Sequence, residues 1–494
     1  MLLIGIDLGT SAVKMLLVNE KGDILNSVTR AYPLEFPQPG WSQQNPADWE
    51  AAVMEGVPEL LMGFDATEVQ GIGCGGQMHG LVVLDENDRV IRPAILWNDA
   101  RTAPQVDYLN ETIGRAQLSA WTANIAFAGF TAPKLLWMRE NEPELFARIK
   151  KIMLPKDYIN YLLTGAHCCD YSDASGLLLL DVECKAWSRE MLDLCGVREE
   201  QMPSLHESWE VVGTLKPDVA SRLGLPETVR VVAGAGDNAA AAVGTGTVGP
   251  GGCNISLGTS GTIFISSDQF RVDPHNALHA FAHADGGYHL MGVVLSAASC
   301  NKWLCEEILR TNDYSAEQAE ITDDRLGRNH VYFLPYLMGE RSPINDTNAR
   351  GTLIGMTMDT SRADIVQAVL EGVAFAMRDS LEIARAQGIP VTRSNICGGG
   401  ARSMLWKKIM ANVLNMPISW VATEEGPGYG GAMLAMVGCG AYPSVAACAD
   451  ALVKENGVIL PDEAIAARYE ARYRQFKQIY PACKELFRTL QAEE

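Results

Sequence analysis

Two short stretches of the sequence share one pattern of apolar and polar positions. Residues 4–18 read I-G-I-D-L-G-T-S-A-V-K-M-L-L-V, and residues 254–265 read N-I-S-L-G-T-S-G-T-I-F-I. In each, two runs rich in apolar and β-branched residues flank Leu-Gly-Thr-Ser, which predicts a strand, a tight turn and a second strand. The tip of such a turn offers backbone N–H groups and two hydroxyls, which suit phosphate oxygens. One copy in each half of the chain predicts two lobes that grip one phosphate chain from opposite sides.

Elsewhere predicted strands alternate with predicted helices, a pattern typical of an α/β fold. Three antiparallel strands are expected before residue 36, followed by a helix that Asn45 can cap. A long helix is expected to start near Ser361, with Asp364 completing a capping box. The last thirty or so residues predict an amphipathic helix. Together with the repeated turn, this order predicts two duplicated α/β lobes.

A glycine-rich segment marks the expected junction between the lobes. Residues 244–252 hold five glycines and a proline in nine positions, a composition typical of a connection between folded units. The sequence therefore predicts an N-terminal lobe at 1–245 and a C-terminal lobe at 253–494, the second ending in a helix.

Composition narrows the class of protein. A chain of 494 residues with a formal charge of −20 is expected to form more than one domain and not to bind nucleic acid. That charge does not exclude ATP, which local N–H groups and Mg²⁺ can hold. No apolar run reaches the ~18–20 residues that span a bilayer, and the N-terminal residues lack a signal-peptide pattern. The twelve cysteines have no C-x-x-C spacing, which predicts reduced thiols in the cytoplasm.

Asp7 is a carboxylate within an otherwise apolar strand, where burial without a partner is costly. A hydrated Mg²⁺ is one natural partner, and hydrogen bonds that close the turn are the other. The second copy of the pattern has Ser256 in place of Asp7, so an ion would be held by one lobe only. Lys14, on the next strand, is interpreted either as a phosphate contact or as a solvated lysine at the sheet edge.

Phosphate contacts are also expected from the turn hydroxyls and from a glycine triplet. The hydroxyls are those of Thr10, Ser11, Thr259 and Ser260, residue types that also serve as ordinary turn formers. The triplet at 398–400, followed by an alanine, lies between a predicted strand and a predicted helix, where backbone and helix N-terminus favour anions. It matches neither a Walker A loop nor a G-x-G-x-x-G fingerprint.

Asp237 directly follows an apolar strand, within Gly-Ala-Gly-Asp-Asn. A carboxylate placed there can take a proton from an attacking hydroxyl. The alternative is an N-cap for the alanine-rich helix that follows.

Two further polar segments are candidates for binding a small polar ligand. Met78 and His79 lie between glycines, which predicts irregular backbone, and the alternative for the histidine is a structural role. Trp97, Asp99 and Arg101 lie at a strand end, where the last two can also form an ordinary salt bridge. His283, His289 and Arg341 are interpreted as core or loop residues.

A series of segments, in order along nearly the whole chain, resembles the FGGY carbohydrate kinase family, and within it the xylulose kinase branch. The segments are I-G-I-D-L-G-T-S from Ile4, G-G-Q-M-H-G from Gly75, A-I-L-W-N-D from Ala94, F-T-A-P-K-L-L-W from Phe130, L-P-K-D-Y from Leu154, A-G-A-G-D-N-A-A from Ala233, S-L-G-T-S-G from Ser256, L-S-A-A-S-C from Leu295, F-L-P-Y-L-M-G-E-R-S-P from Phe333 and G-G-G-A-R-S from Gly398.

The resemblance implies two lobes of the actin-like, hexokinase-like (ribonuclease H-like) ATPase fold with a central cleft. It implies that Asp237 is the general base and that Asp7 organises Mg²⁺. The implied sugar site consists of Met78, His79, Trp97, Asp99, Asp237 and Asn238. The implied ATP and phosphate contacts are Thr10, Ser11, Lys14, Thr259, Gly400 and Ala401.

The activity implied is ATP-dependent phosphorylation of D-xylulose to D-xylulose 5-phosphate. Glycerol kinases carry Arg-Glu where this chain has Met78 and His79, which argues against glycerol. A kinase for a related ketose or polyol such as ribulose, an actin-like ATPase and a catalytically silent sugar sensor are the alternatives, although intact Asp7 and Asp237 argue against the last. The expected partners are a small sugar and ATP in the cytoplasm, without nucleic acid or membrane and with a homodimer as a candidate assembly.

Overall fold

Two seven-stranded sheets organise the chain, one in each half. The computed structural model describes residues 1–422 and 425–491. The strands are β1 (Leu2–Leu8), β2 (Ala12–Asn19), β3 (Ile24–Ala31), β4 (Gln43–Gln44), β5 (Val69–Gly76), β6 (Val82–Leu84), β7 (Ala94–Ile95), β8 (Lys151–Met153), β9 (Cys168–Asp170), β10 (Leu180–Asp181), β11 (Ala186–Trp187), β12 (Ser204–His206), β13 (Val211–Thr214), β14 (Arg230–Val232), β15 (Ala235–Gly236), β16 (Cys253–Leu257), β17 (Gly261–Ser267), β18 (His279–Ala282), β19 (Tyr288–Val294), β20 (Tyr332–Leu334), β21 (Thr352–Ile354), β22 (Ser394–Cys397), β23 (Ile418–Val421) and β24 (Glu455–Ile459).

Helices cover and connect the sheets. They are α1 (Pro46–Leu60), α2 (Ala103–Asp107), α3 (Arg115–Thr122), α4 (Thr131–Asn141), α5 (Pro143–Phe146), α6 (Pro155–Thr164), α7 (Tyr171–Ala174), α8 (Arg189–Cys195), α9 (Pro217–Leu223), α10 (Asp237–Gly244), α11 (Ala298–Trp303), α12 (Tyr314–Gln318), α13 (Arg362–Ala386), α14 (Met404–Leu414), α15 (Gly426–Gly438), α16 (Val445–Leu452) and α17 (Glu463–Gln491). Among the residues described, no helix combines the length and the apolar character needed to cross a membrane.

The two sheets repeat one topology. The first runs β3-β2-β1-β5-β14-β13, with β15 also pairing with β5, and the second runs β19-β17-β16-β22-β23-β24, with β18 beyond β19. In both, the first two pairings are antiparallel, the next two parallel and the last antiparallel. The prediction of duplicated α/β lobes is therefore confirmed, and each repeated turn joins the first two strands of its sheet.

Helix ends follow the sequence signals. The Asn45 side chain accepts a hydrogen bond from the Ala47 N–H at the start of α1. At α13 the Ser361 hydroxyl and the Asp364 carboxylate form the expected capping box, with the Ser361 N–H 2.8 Å from Asp364 Oδ2. Each such bond satisfies an N–H group that the helix itself leaves without a partner.

Helix α15 belongs to the second half of the chain but packs on the first sheet, next to α10. Glycines allow this close approach, because a Cβ on Gly5 would lie 2.0 Å from the Gly428 carbonyl oxygen, and one on Gly73 equally close to the Gly431 oxygen. A buried apolar cluster joins residues of β1, β2, α10, α15 and α16. The second half of the chain thus completes the first lobe's core, and the predicted boundaries at 245 and 253 stay a prediction.

Candidate active site

Asp237 is the first residue of α10 and directly follows β15. Its Oδ1 accepts hydrogen bonds from the Asn238 backbone N–H at 2.7 Å and from Asn238 Nδ2 at 3.0 Å. Burial raises the pKa of Asp237 to about 6, against the opposing effect of these two bonds. At neutral pH the carboxylate is therefore mostly ionised and basic enough to accept a proton.

A cavity of about 230 Å³ lies beside Asp237, between the two lobes. Its walls are mainly apolar, with a few polar groups, as is usual for a site that binds a small molecule. The first half of the chain supplies Met78, His79, Trp97, Phe127, Gly129, Phe130, Asp237 and Asn238, and the second supplies Ser260, Thr262, Met291, Val293, Leu295 and Arg341. The structure thus brings five of the six predicted sugar-site residues to one cavity.

His79 faces this cavity as a neutral imidazole. Burial, then the charges of Lys134 and Arg341, lower its pKa to about 3, although a hydrogen bond to the Gly176 carbonyl opposes them. That bond joins Nδ1 to the oxygen at 2.7 Å, so Nδ1 carries the proton and Nε2 is left as an acceptor. The Lys134 side chain donates to the His79 carbonyl at 2.7 Å. This bond holds the His79 backbone in a left-handed conformation, with a φ of +69°.

Arg341 reaches the cavity from the second lobe. Its guanidinium lies over the ring of Phe127, 5.0 Å from the centroid, and so contacts the first lobe. The buried carboxylate of Glu340 fixes the loop, because its Oε1 accepts the N–H groups of Leu295 and Arg341, both at 2.8 Å. The interpretation of Arg341 as a core or loop residue missed this position in the cavity wall.

The two repeated turns are anchored differently. In the first, Thr10 Oγ1 accepts a hydrogen bond from Trp97 Nε1 at 2.9 Å, which ties the turn to the cavity wall. In the second, the Thr259 carbonyl accepts the Ala297 N–H at 2.9 Å and the Ser299 hydroxyl at 2.7 Å. Ser11 is exposed at the first turn. Each turn is therefore held by hydrogen bonds to another segment of the chain.

Asp7 lies at the end of β1, close enough to Asp237 for the two charges to interact. Burial, and next the charge of Asp237, raise the pKa of Asp7 to about 7, while Lys14 opposes the shift. Lys14 forms an ion pair with Glu425, so a phosphate contact from its ammonium would require that pair to open. Whether Lys14 binds phosphate stays a prediction.

The donor set around Asp7 fits a hydrated Mg²⁺. Within 1–422 and 425–491 no group of three or more His, Cys, Asp or Glu side chains is arranged to hold a metal ion. An ion at Asp7 would thus have at most two such ligands from the described residues and complete its shell with water and phosphate oxygens, which Mg²⁺ favours.

A second, larger cavity of about 700 Å³ lies in the C-terminal lobe. Its lining includes Thr259, Gly400 and Trp406. Gly398, the first glycine of the triplet, has a φ of +87°, a conformation that favours glycine. Ala401, predicted with Gly400 to contact nucleotide, is not part of the lining. The volume suits a nucleotide, and Thr259 connects this cavity to the second repeated turn.

Comparison with known sequences decides the family. The FGGY carbohydrate kinase N-terminal domain model matches residues 2–244, and the C-terminal domain model matches residues 253–439. The chain belongs to the FGGY family of carbohydrate kinases. As a member of this family it is an enzyme whose substrates are a sugar and ATP.

Individual FGGY kinases resemble the chain over almost its entire length. The xylulose kinase of Escherichia coli (strain K12) is 40% identical over 97% of this chain and 98% of its own. The xylulose kinase of Bacillus subtilis (strain 168) is 37% identical over 98% and 97%. The crystal structure of a "xyloylose kinase" from Brucella ovis superposes with a TM-score of 0.93 at 39% identity, covering 98% of this chain and 100% of that one. The predicted two-lobe fold of this family is confirmed.

One predicted sugar-site residue lies elsewhere. Asp99 is 2% exposed and does not line the cavity. Its carboxylate accepts hydrogen bonds from the Arg101 guanidinium at 2.8 to 2.9 Å and from the Ser42 N–H at 2.6 Å. The salt-bridge alternative describes its contacts, and in this FGGY kinase Asp99 stabilises the segment that carries Trp97.

Nine of the fourteen residues that line this cavity were not predicted to bind sugar, among them Phe127, Phe130 and Arg341. Phe127, Phe130 and Arg341 come from segments distant in sequence, and only the last two lie in segments that carry the family resemblance. Aromatic residues within apolar runs are indistinguishable from core residues until the fold shows which cavity they face. The signal that the sequence offered for Phe130 and Arg341 was their place in two of these segments.

Proposed function

We propose that this chain transfers the γ-phosphoryl group of ATP to the terminal hydroxyl of D-xylulose and produces D-xylulose 5-phosphate. The observation that carries the proposal is the position of Asp237, an ionisable carboxylate on the wall of the same small cavity as Met78 and His79. Its support includes membership of the FGGY family and near full-length similarity to several xylulose kinases.

Asp237 accepts the proton of the sugar's terminal hydroxyl as that oxygen attacks the γ-phosphorus. The bond between the γ-phosphorus and the bridging oxygen of ATP breaks, ADP leaves, and the proton stays on the carboxylate until it exchanges with solvent. Because the transition state of phosphoryl transfer is loose, alignment of the hydroxyl matters more than the strength of the base.

The cavity positions the sugar through complementary groups. His79 Nε2 accepts a hydrogen bond from a sugar hydroxyl, while the Arg341 guanidinium and the Asn238 amide donate to sugar oxygens. The apolar side chains of Met78 and Phe130 exclude water, which would otherwise attack ATP in place of the sugar.

ATP occupies the larger cavity, with its phosphates between the two repeated turns. Asp7 would hold Mg²⁺ through its carboxylate, and the bound ion supplies neutralisation of the phosphate charge. Thr10, Ser11 and Thr259 contribute N–H or hydroxyl donors to the phosphates, with Lys14 and Ala401 as further predicted contacts. We place the enzyme in the cytoplasm, with a homodimer as the candidate assembly.

A coupled assay of ADP release with ketoses, polyols and aldoses tests the substrate. D-xylulose should give the highest kcat/KM, and a clear preference for another pentulose, for a polyol or for glycerol would overturn the substrate assignment. ATP turnover that no sugar accelerates would favour the actin-like ATPase.

The Asp237→Ala variant tests the base. Its kcat should fall by at least about a hundredfold, while binding of ATP, measured by calorimetry, should be unchanged because the nucleotide cavity does not include Asp237. Turnover close to that of the unmodified protein would show that Asp237 is not the base.

A further inference from the structure

A buried charged cluster lies beside the short segment, residues 233–236, that leads into Asp237. Lys156 Nζ is 2.6 Å from Asp157 Oδ1, 2.9 Å from Asp170 Oδ1 and 3.7 Å from Asp173 Oδ2, and all four side chains are fully buried. Such a cluster is costly to bury. The proposed mechanism assigns none of its members a role.

One branch of the cluster leads to the backbone next to Asp237. Asp170 Oδ2 accepts the hydroxyls of Ser172 at 2.5 Å and Ser208 at 2.9 Å. Because the Ser172 hydroxyl proton points to Asp170, its oxygen lone pairs are free to accept elsewhere. That oxygen accepts the Gly236 N–H at 3.2 Å, and Gly236 immediately precedes Asp237.

The other polar groups of this strand are held from the same side. The Ala233 carbonyl accepts Asn160 Nδ2 at 2.9 Å and Lys156 Nζ at 3.3 Å. The Gly234 N–H donates to the Ser208 carbonyl at 2.9 Å. The segment that leads into the base is therefore hydrogen-bonded at Ala233, Gly234 and Gly236 to the cluster and to residues beside it.

Gly236 is confined from the opposite side as well. A Cβ built on Gly236 would lie 3.0 Å from Met78 Cγ, so Met78 packs closely against this residue. Gly236 also pairs with Gly76 at the end of β5. The Ser172 hydroxyl adds a side-chain hydrogen bond to the Gly236 N–H.

We propose that Ser172, oriented by Asp170, is a positioning residue that sets the location of Asp237 for proton transfer. The inference rests on the proposed function, since it takes Asp237 as the base. Ser172 does not touch the sugar or the reacting atoms and acts only through the Gly236 N–H. Misplacement of a reacting group by about 1 Å can lower a rate by about a hundredfold, so loss of this contact should reduce turnover.

Ser208 provides a matched control. Its hydroxyl donates to the same oxygen of Asp170 and is equally buried, with Ser208 1% and Ser172 0% exposed. Its hydroxyl makes no contact with Gly236, and its carbonyl bond to Gly234 survives replacement by alanine. Ser172→Ala and Ser208→Ala thus remove equivalent bonds to Asp170, but only the first releases the Gly236 N–H.

Steady-state kinetics with D-xylulose and ATP decide between a positioning and a purely structural role. We expect Ser172→Ala to lower kcat at least tenfold and Ser208→Ala to keep it within about twofold, with the KM for ATP unchanged in both. Equal kcat values in the two variants would overturn the positioning role. If Ser172→Ala does not fold, Ser172→Cys takes its place. Cysteine is close to serine in size, but its sulfur is a weak acceptor for the Gly236 N–H, so kcat should again fall at least tenfold.

The same measurements separate this inference from the proposed function. Absence of xylulose phosphorylation in both the unmodified protein and Ser208→Ala would overturn the proposed function, and with it the inference. Full activity in all three proteins would overturn the positioning role alone.

Discussion

Replacement of Asp237 by asparagine should stabilise the fold while it abolishes most of the activity. The carboxylate has a pKa raised to about 6 because it is buried, so the folded state resists its ionisation. Asparagine has nearly the same shape, carries no charge, and can still accept both hydrogen bonds from Asn238 through its Oδ1. The loss of the general base should lower kcat by at least about a hundredfold.

The stabilisation follows from the shift in pKa. The unfolded chain titrates at 3.8 and the folded state at about 6, and a difference of about two units corresponds to about 3 kcal/mol. Because the folded pKa is the higher one, the penalty is absent below pH 3.8, grows between 3.8 and 6, and is complete above 6. The Asp237→Asn variant should therefore gain up to about 3 kcal/mol at pH 8 and about half of that at pH 5.

Thermal unfolding at pH 5 and pH 8, followed by calorimetry, measures the effect. Asp379→Asn is the matched control, because burial also raises the pKa of Asp379 to about 6 and its hydrogen bond from Tyr473 is retained. Both variants should melt higher than the unmodified protein at pH 8, and only Asp237→Asn should lose activity. An Asp237→Asn protein that melts lower at pH 8, or shows a gain independent of pH, would refute the reasoning.

Three further predictions concern the cavity and the cluster behind it. The kcat/KM for xylulose should fall on the acid side with an apparent pKa near 6, because protonated Asp237 cannot accept a proton, and a flat profile down to pH 5 would contradict this. His79→Ala and Met78→Ala should raise the KM for the sugar at least tenfold but leave basal ATP hydrolysis, measured by a coupled ADP assay, nearly unchanged. Equal losses of sugar phosphorylation and of basal hydrolysis would indicate a structural role. Lys156→Met should lower the free energy of unfolding by about 3–5 kcal/mol in urea titrations, since it leaves buried carboxylates without their cation, and an unchanged midpoint would contradict this.

The repeated turns and the main secondary structure could be predicted because their signals are local. Apolar runs around Leu-Gly-Thr-Ser gave both strand pairs, and the capping residues Asn45 and Ser361 marked the starts of α1 and α13. Asp237 could be singled out since a polar residue after an apolar strand lies at a sheet edge. Such signals depend on neighbours in sequence.

What could not be predicted depends on residues brought together from distant segments. Asp99 was assigned to the sugar site, but whether a carboxylate faces a cavity or a neighbouring arginine depends on side-chain packing that its sequence neighbours do not reveal. The cluster around Lys156 was equally hidden in the sequence. Its ion-pair partner Asp170 and Ser208, which donates to Asp170, lie well beyond Lys156 along the chain.

The packing of α15 against the first sheet limits where the chain can be cut. The glycine-rich segment at 244–252 looks like a natural place to cut, yet α15 lies beyond it and supplies Gly428 against Gly5. A fragment that ends at 245 would expose a glycine-lined sheet face to water, and its complement would carry α15 without its support. A single proteolytic nick in that segment should accordingly leave two pieces that remain associated. The same two pieces made as separate chains should have to be co-expressed to be recovered.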